Sequence, residues 1–205
     1  MLRELTLLEA GRMVDAGAVL AYPTETVWGI GGKAIDKEVV ARVLACKGIA
    51  SARAMPVLAS CTIGAVSVVP VPVRESMRVL AGEFWPGGLT IAVPVEDPYL
   101  APMAAEDGTV GLRVSANPVA TFLALQAGGF LVSTSANLTG QPPPSTAQEI
   151  SQGLLDRLDG VVGMEHVAKG LPSTVIKWRD GLWEIIREGA VPAASLARLV
   201  RLVGA

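Results

Sequence analysis

Strand-like apolar runs and helix-period segments alternate along the whole chain, with no repeat, low-complexity tract or Ser/Gly-rich linker between them. That alternation leaves few architectures open. Strands interleaved with helices bury both faces of their sheet, so the chain reads as one α/β domain with a twisted mixed sheet flanked by helices. Its 205 residues are enough for a single well-packed core. Thr6 and Glu9 have capping-box spacing ahead of a helix that runs to about Gly17. Residues 18–22 (AVLAY) read as a buried strand stopped by Pro23, and residues 24–34 (TETVWGIGGKA) as a Gly-rich loop. Asp36 is placed to cap a second helix closed by Gly48. Further strands are expected over 56–59, 89–95, 110–114 and 130–134, and helices over 72–81, 118–127 and 146–158. Residues 173–178 and 182–187 read as a hairpin turned by Arg179-Asp180-Gly181, and a last helix is expected over 192–203. The Pro-rich piece 141–145 is a loop, placed at the rim of any site.

Apolar residues make up 51% of the chain, yet no uninterrupted apolar run approaches the roughly 20 residues that span a bilayer. The start, MLRELTLLEAGRM, carries acids in an amphipathic pattern instead of a basic stretch followed by an apolar block, so no secretory signal is read there. Cys46 and Cys61 cannot build a disulfide framework, and with a single histidine they do not spell a metal site. The expected location is the cytoplasm, with no membrane partner. A net charge of −2 argues against a broad nucleic-acid surface and leaves room only for a local basic cleft, so any RNA binding is expected to be weak.

The chain lacks a P-loop, a Rossmann glycine fingerprint, H-E-x-x-H and G-x-S-x-G. The lone His166 follows Glu165 in a predicted loop, without the nucleophile and orienting partner that a triad needs. What remains are hydroxyls and cations beside strand ends. Tyr22-Pro23-Thr24-Glu25-Thr26 sets hydroxyls and free amides at a strand end, where ligands of open α/β sheets bind. Ser133-Thr134-Ser135-Ala136-Asn137 follows an apolar strand; its hydroxyls and amide suit a phosphate or carboxylate, or equally an ST-turn. Lys47, Arg53, Arg113 and Arg187 form the cationic set. An arginine in a strand as apolar as VGLRV needs an anionic partner, which is either an internal Asp or Glu or a bound anion.

Six segments in order, YPTETVWGIGG, FWPGGLT, TVGLRVS, STSANLTGQPPPST, LPSTVIKW and IIREGAV, together resemble the YrdC/Sua5 family over about residues 20–191. The resemblance implies a YrdC-like fold with an open concave cleft, a single domain over 1–205 with its core at about 8–191. It also implies an adenylate-forming nucleotidyltransferase that makes threonylcarbamoyl-AMP and pyrophosphate from L-threonine, bicarbonate and ATP. A downstream complex would transfer the threonylcarbamoyl group to adenosine 37 of tRNA. By the resemblance, Thr24, Arg113, Ser135 and Ser173 contact threonine, and Lys47, Arg53, Thr109, Asn137, Ser145 and Arg187 contact ATP. Lys47, Arg53, Ser135 and Asn137 are the catalytic candidates. Mg²⁺ is expected to come with ATP, with no dedicated acidic cage in the protein.

The segment CKGIASARAMPVL departs from the family pattern K-x-R-P-x-x-x-P-L: Ile49 stands at the arginine position, and Ala50 and Ala54 replace prolines. Arg53, four residues further on, is the candidate substitute. Ser115 stands where the pattern has Pro, which reads as a change in loop stiffness. The departure keeps an alternative open, a diverged paralogue that binds nucleotide or RNA without this synthesis. A third reading is carbamoyl transfer to another acceptor such as a thiol. The chain ends soon after the core, as in the short YrdC-like form.

Overall fold

The computed structural model describes residues 3–48 and 55–203, so Ile49, Ala50, Arg53 and Ala54 lie outside the described residues. The chain runs through β1 (Glu4–Leu5), α1 (Leu7–Asp15), β2 (Leu20–Tyr22), β3 (Gly29–Lys33), α2 (Lys37–Cys46), β4 (Val57–Ala59), α3 (Thr62–Ser67) and α4 (Val71–Phe84). It continues through β5 (Leu89–Pro94), β6 (Thr109–Arg113), α5 (Pro118–Gln126), β7 (Phe130–Ser135), α6 (Gln152–Leu155), β8 (Gly160–Val162), β9 (Thr174–Arg179), β10 (Leu182–Arg187) and α7 (Ala193–Leu196). Among the described residues these strands form one mixed sheet in the order β1-β8-β2-β3-β7-β4-β6-β5-β9-β10. The expected α/β class with a single mixed sheet is what the chain adopts.

Most predicted elements appear within a residue or two of their expected bounds, and their local chemistry is the predicted one. Thr6 caps α1 in a capping box with Glu9, Asp36 caps α2, and Asp180 and Gly181 take positive φ at the β9–β10 turn. Three expectations need correction. The Gly-rich loop is half strand, because Gly29–Lys33 pairs with β2 on one side and β7 on the other. Glycine is required there by close approach: a Cβ on Gly31 would run into the carbonyl of Val132 and lie 3.0 Å from the Tyr22 hydroxyl. Gly31→Ala should therefore cost about 3 kcal/mol, read as a fall in the urea midpoint, since the Val132 backbone of the paired strand must move. The helix expected over 146–158 is broken into a 3₁₀ turn at Ala147–Glu149 and the four-residue α6, with Ile150 and Ser151 extended between them. The last helix stops at Leu196, and α3 and the short parallel pair of β1 with β8 were not expected.

The helices divide unequally between the two sheet faces. α2, α3, α4, α6 and α7 pack over one face, onto Val19, Ile30, Val57, Leu89, Ile91, Leu112, Val132 and Ile176. On the other face α1 and α5 pack onto Leu20, Tyr22, Leu58, Leu131 and Val162. That second cover ends at β4. The same-face residues of β6, β5 and β9, namely Arg113, Thr90 and Val175, belong to neither apolar cluster and line an open cleft instead. Residues alternate along a strand between the two faces, so this half-covered sheet is what creates the site.

Candidate active site

The strand register sets the floor of the cleft. Leu58 pairs with Arg113, and Ile91 with Leu112, which sets Thr90 beside Arg113. Thr90 pairs with Val175 and Val175 with Arg187, so these side chains cross five strands in one row. Arg187 reaches that row through a bulge between Ile185 and Arg187, which adds one residue to β10 and turns the arginine to the cleft face. The walls are loops at the strand ends: Thr24, Thr26 and Trp28 after β2, Ser133–Ser135 and Asn137 at the end of β7, Pro143, and Pro172 with Ser173 before β9. Together they enclose a cavity of about 380 Å³.

Several polar groups on this wall are held by neighbours. Thr24 Oγ1 donates to the Val27 carbonyl at 2.7 Å and accepts from the Thr26 and Val27 amides, so the PTET segment is a rigid ST-turn. Tyr22 donates to Ser133 Oγ at 2.7 Å from a fully buried position, and burial raises its phenol pKa above the usual range. Ser173 Oγ shares a hydrogen bond of 2.8 Å with Thr90, and its carbonyl accepts from Arg187 Nε at 3.2 Å and from a terminal nitrogen at 2.8 Å. Arg187 and Arg113 line the same cavity, and burial together with the charge of Arg113 lowers the Arg187 pKa. Trp28 ties three walls together. Its amide donates to Pro144, its carbonyl accepts from Ala136, and its indole donates to His166 O at 3.3 Å.

The buried Arg113 has an internal anion. One terminal nitrogen lies 2.6 Å from Glu25 Oε1, and Nε donates to the Gly87 carbonyl at 3.0 Å. Burial pushes the Glu25 carboxyl up, but the charge of Arg113 and the Ser115 hydrogen bond outweigh it and hold the group below its ordinary value. Ser115 is therefore more than a change in loop stiffness, because its hydroxyl donates to Glu25. Lys47 ends α2 and reaches the loop after β7, where Nζ donates to the Ser135 carbonyl at 2.8 Å and to the main-chain and side-chain oxygens of Asn137. Burial pushes its ammonium down to about 8. No carboxylate answers its charge among these contacts.

The structure thus brings Thr24, Arg113, Ser135, Asn137, Ser173 and Arg187 onto one cavity, with Lys47 bonded behind Ser135 and Asn137. Thr109 is elsewhere: it sits at the far end of β6, about 13 Å along the strand from Arg113, and bonds Asp107 in a turn. Ser145 stands behind Pro143, its amide on Glu149 and its carbonyl accepting from Ala168. Arg53 lies outside the described residues. Sequence reasoning named as a site residue neither Glu25, although it lies inside the PTET motif, nor Thr90, although it closes the FWPGGLT segment. Chemically the cleft offers cations, hydroxyls and amides and, among the described residues, no nucleophile–base pair. It suits an anionic substrate aligned for attack by another bound substrate. Among the described residues no group of three or more His, Cys, Asp or Glu gathers. Among the described residues this wall presents hydroxyl and carbonyl oxygens, the hard ligands that a magnesium ion bound to phosphates accepts.

A family model for Sua5, YciO and YrdC proteins, described as telomere recombination, matches residues 12–189. The threonylcarbamoyl-AMP synthase of Stenotrophomonas maltophilia (strain K279a) is 35% identical over 184 residues, covering 88% of this chain and 96% of that protein. The protein of the same name from Bacillus subtilis (strain 168) is 28% identical over 195 residues, covering 95% of this chain; the chain spans 56% of that relative's length. Among solved structures, P. abyssi Sua5 complexed with L-threonine superposes with a TM-score of 0.84 at 22% identity, covering 99% of this chain and 62% of that one. E. coli YciO superposes at 0.78 with 22% identity, covering 94% and 98%.

Proposed function

The chain belongs to the Sua5/YciO/YrdC family, and from the site it carries we propose that it is a threonylcarbamoyl-AMP synthase. It would join L-threonine, bicarbonate and ATP into threonylcarbamoyl-AMP and release pyrophosphate. The observation that supports this best is the pairing, in one cavity, of a ring of hydroxyls with two guanidiniums of which, among the described residues, only Arg113 has a carboxylate partner. Such a site binds anions and aligns them without forming a covalent intermediate. The amine of threonine adds to CO2 derived from bicarbonate, and an oxygen of the resulting carbamate attacks the α-phosphorus of ATP as pyrophosphate leaves.

In this reading Arg113, Thr24, Ser135 and Ser173 hold threonine. Arg187, Asn137, Lys47 and Arg53 face the triphosphate, Thr109 and Ser145 belong to the nucleotide's outer contacts, and Mg²⁺ arrives on the phosphates. The class is nucleotidyltransferase, the place of reaction the cytoplasm, and the product is passed to a complex that modifies tRNA. No described helix is long and apolar enough to cross a membrane.

Purified protein with ATP, Mg²⁺ and bicarbonate should release pyrophosphate only when L-threonine is added. Release that needs both threonine and bicarbonate would bear the proposal out. No release from protein that still binds ATP would overturn it in favour of a nucleotide-binding paralogue, with Ile49 as the first residue to revert to arginine.

A further inference from the structure

We infer that Glu25, which lines no part of the cavity wall itself, is the positioning residue for Arg113 and sets the affinity for the substrate carboxylate; the inference rests on the function proposed above. Glu25 and Arg113 are held on different elements, the loop after β2 and the end of β6, and their side chains are only 17% and 8% exposed. The Glu25 carboxylate accepts from three donors: a terminal nitrogen of Arg113, the Ser115 hydroxyl and the Ala116 amide at 3.2 Å. The Gly87 carbonyl takes the Arg113 Nε–H. Two of the three guanidinium nitrogens are thereby fixed from behind, and the remaining terminal nitrogen has no partner among the described residues while the side chain lines the cavity. A planar guanidinium held at two corners presents the third in one orientation, which is the geometry that a carboxylate ligand reads.

The rigidity extends to the loop. Ser115 Oγ also accepts from the Asn117 amide at 3.1 Å, and Asn117 caps α5, so Glu25 links the PTET turn to the start of a helix. The Lys169 and Gly170 amides donate to the carbonyls of Glu25 and Thr26, which fastens the same turn from the opposite side.

Two roles for Glu25 predict opposite signs. If it only balances charge, removing its charge raises the potential at Arg113 and tightens the binding of an anion. If it aims the guanidinium, neutralising it frees the arginine and weakens binding, because the order lost must be restored on association. We take the second. Calorimetric titration of L-threonine and of Mg-ATP into wild type, Glu25→Gln and Ser115→Ala should show threonine binding weakened about tenfold by E25Q and about threefold by S115A. ATP binding should change less than threefold in both.

Threonine binding that is unchanged or tighter in folded E25Q overturns the inference, as does equal weakening toward both ligands. Should E25Q not fold, S115A decides alone, and an unchanged threonine affinity there overturns it. A wild type that takes up no threonine overturns the proposed function itself, which separates the two failures.

Discussion

Arg113→Ala is expected to abolish threonine-dependent pyrophosphate release and, at neutral pH, to destabilise the fold by about 3 kcal/mol or more. The two losses share a cause. Arg113 and Glu25 are a buried pair, and removing the cation leaves a carboxylate with only Ser115 and Ala116 as donors in a place that burial makes unfavourable for charge. The pH dependence has a definite sign. In the intact protein the Glu25 pKa is lowered on balance, so the pair contributes fully above the unfolded carboxylate value of roughly 4.3 and fades as pH falls through the lower folded value. Without Arg113, burial dominates and the folded pKa rises above the unfolded one. The variant's deficit is then greatest at neutral pH and shrinks as the carboxyl takes up a proton in mild acid. Urea unfolding at pH 7.5 and pH 5 measures this directly. A second change, Glu25→Ala in the Arg113→Ala background, should restore much of the stability and none of the activity. A deficit that is equal at both pH values and unaffected by the second change would show that packing of the arginine stem, and not the stranded carboxylate, explains the loss.

The sequence reading reached the fold class and most elements because local signals carry them. Thr6, Asp36 and the Asp180-Gly181 turn act over a few residues, and the structure uses each as predicted. It failed where tertiary pairing overrides local preference. A run as rich in glycine as GIGGK has little strand propensity, yet its glycines let β3 lie against β2 and β7 with no side chain between. The segment over 146–158 has apolar spacing suited to a helix, but Ile150 and Leu154 reach the core from two separate short turns. For the site, the motifs named nearly every wall residue, but not how the residues connect. That Arg113 would find an internal carboxylate was left open by VGLRV, and Glu25 lies 88 residues away in sequence. Arg187 faces the cleft only because of a bulge, and a bulge leaves no period in the sequence by which to foresee it.

Lys47→Ala is the second change expected to have a large effect, lowering pyrophosphate release about 100-fold and weakening ATP about tenfold. Lys47 anchors the loop after β7 through three carbonyl oxygens, while Thr139 Oγ1 donates back to the Lys47 carbonyl at 3.0 Å. Without the ammonium those acceptors lose their donor, and Ser135 and Asn137 lose the tie that sets their position. The charge itself can be separated from the anchor by pH. Burial holds the Lys47 pKa at about 8, against 10.5 for a free lysine, so the cation is present at pH 7 and is lost as pH rises through about 8. ATP affinity in the wild type should therefore fall between pH 7 and 9.5, whereas Lys47→Met, already weak, should show a flat profile. Stability must move the other way. Between about 8 and 10.5 the unfolded chain binds the proton that the folded one has released, so this group's contribution to stability increases with pH. Other lysines and tyrosines titrate in the same window, so the quantity to compare is the difference between wild type and Lys47→Met at each pH. An ATP affinity that falls with pH while that stability difference moves in the wild type's favour requires a buried lysine whose charge serves the nucleotide at the expense of the fold. If the affinity of both proteins stays flat, Lys47 only anchors the loop, and the charge that meets the phosphates must come from Arg187 and the segment that holds Arg53.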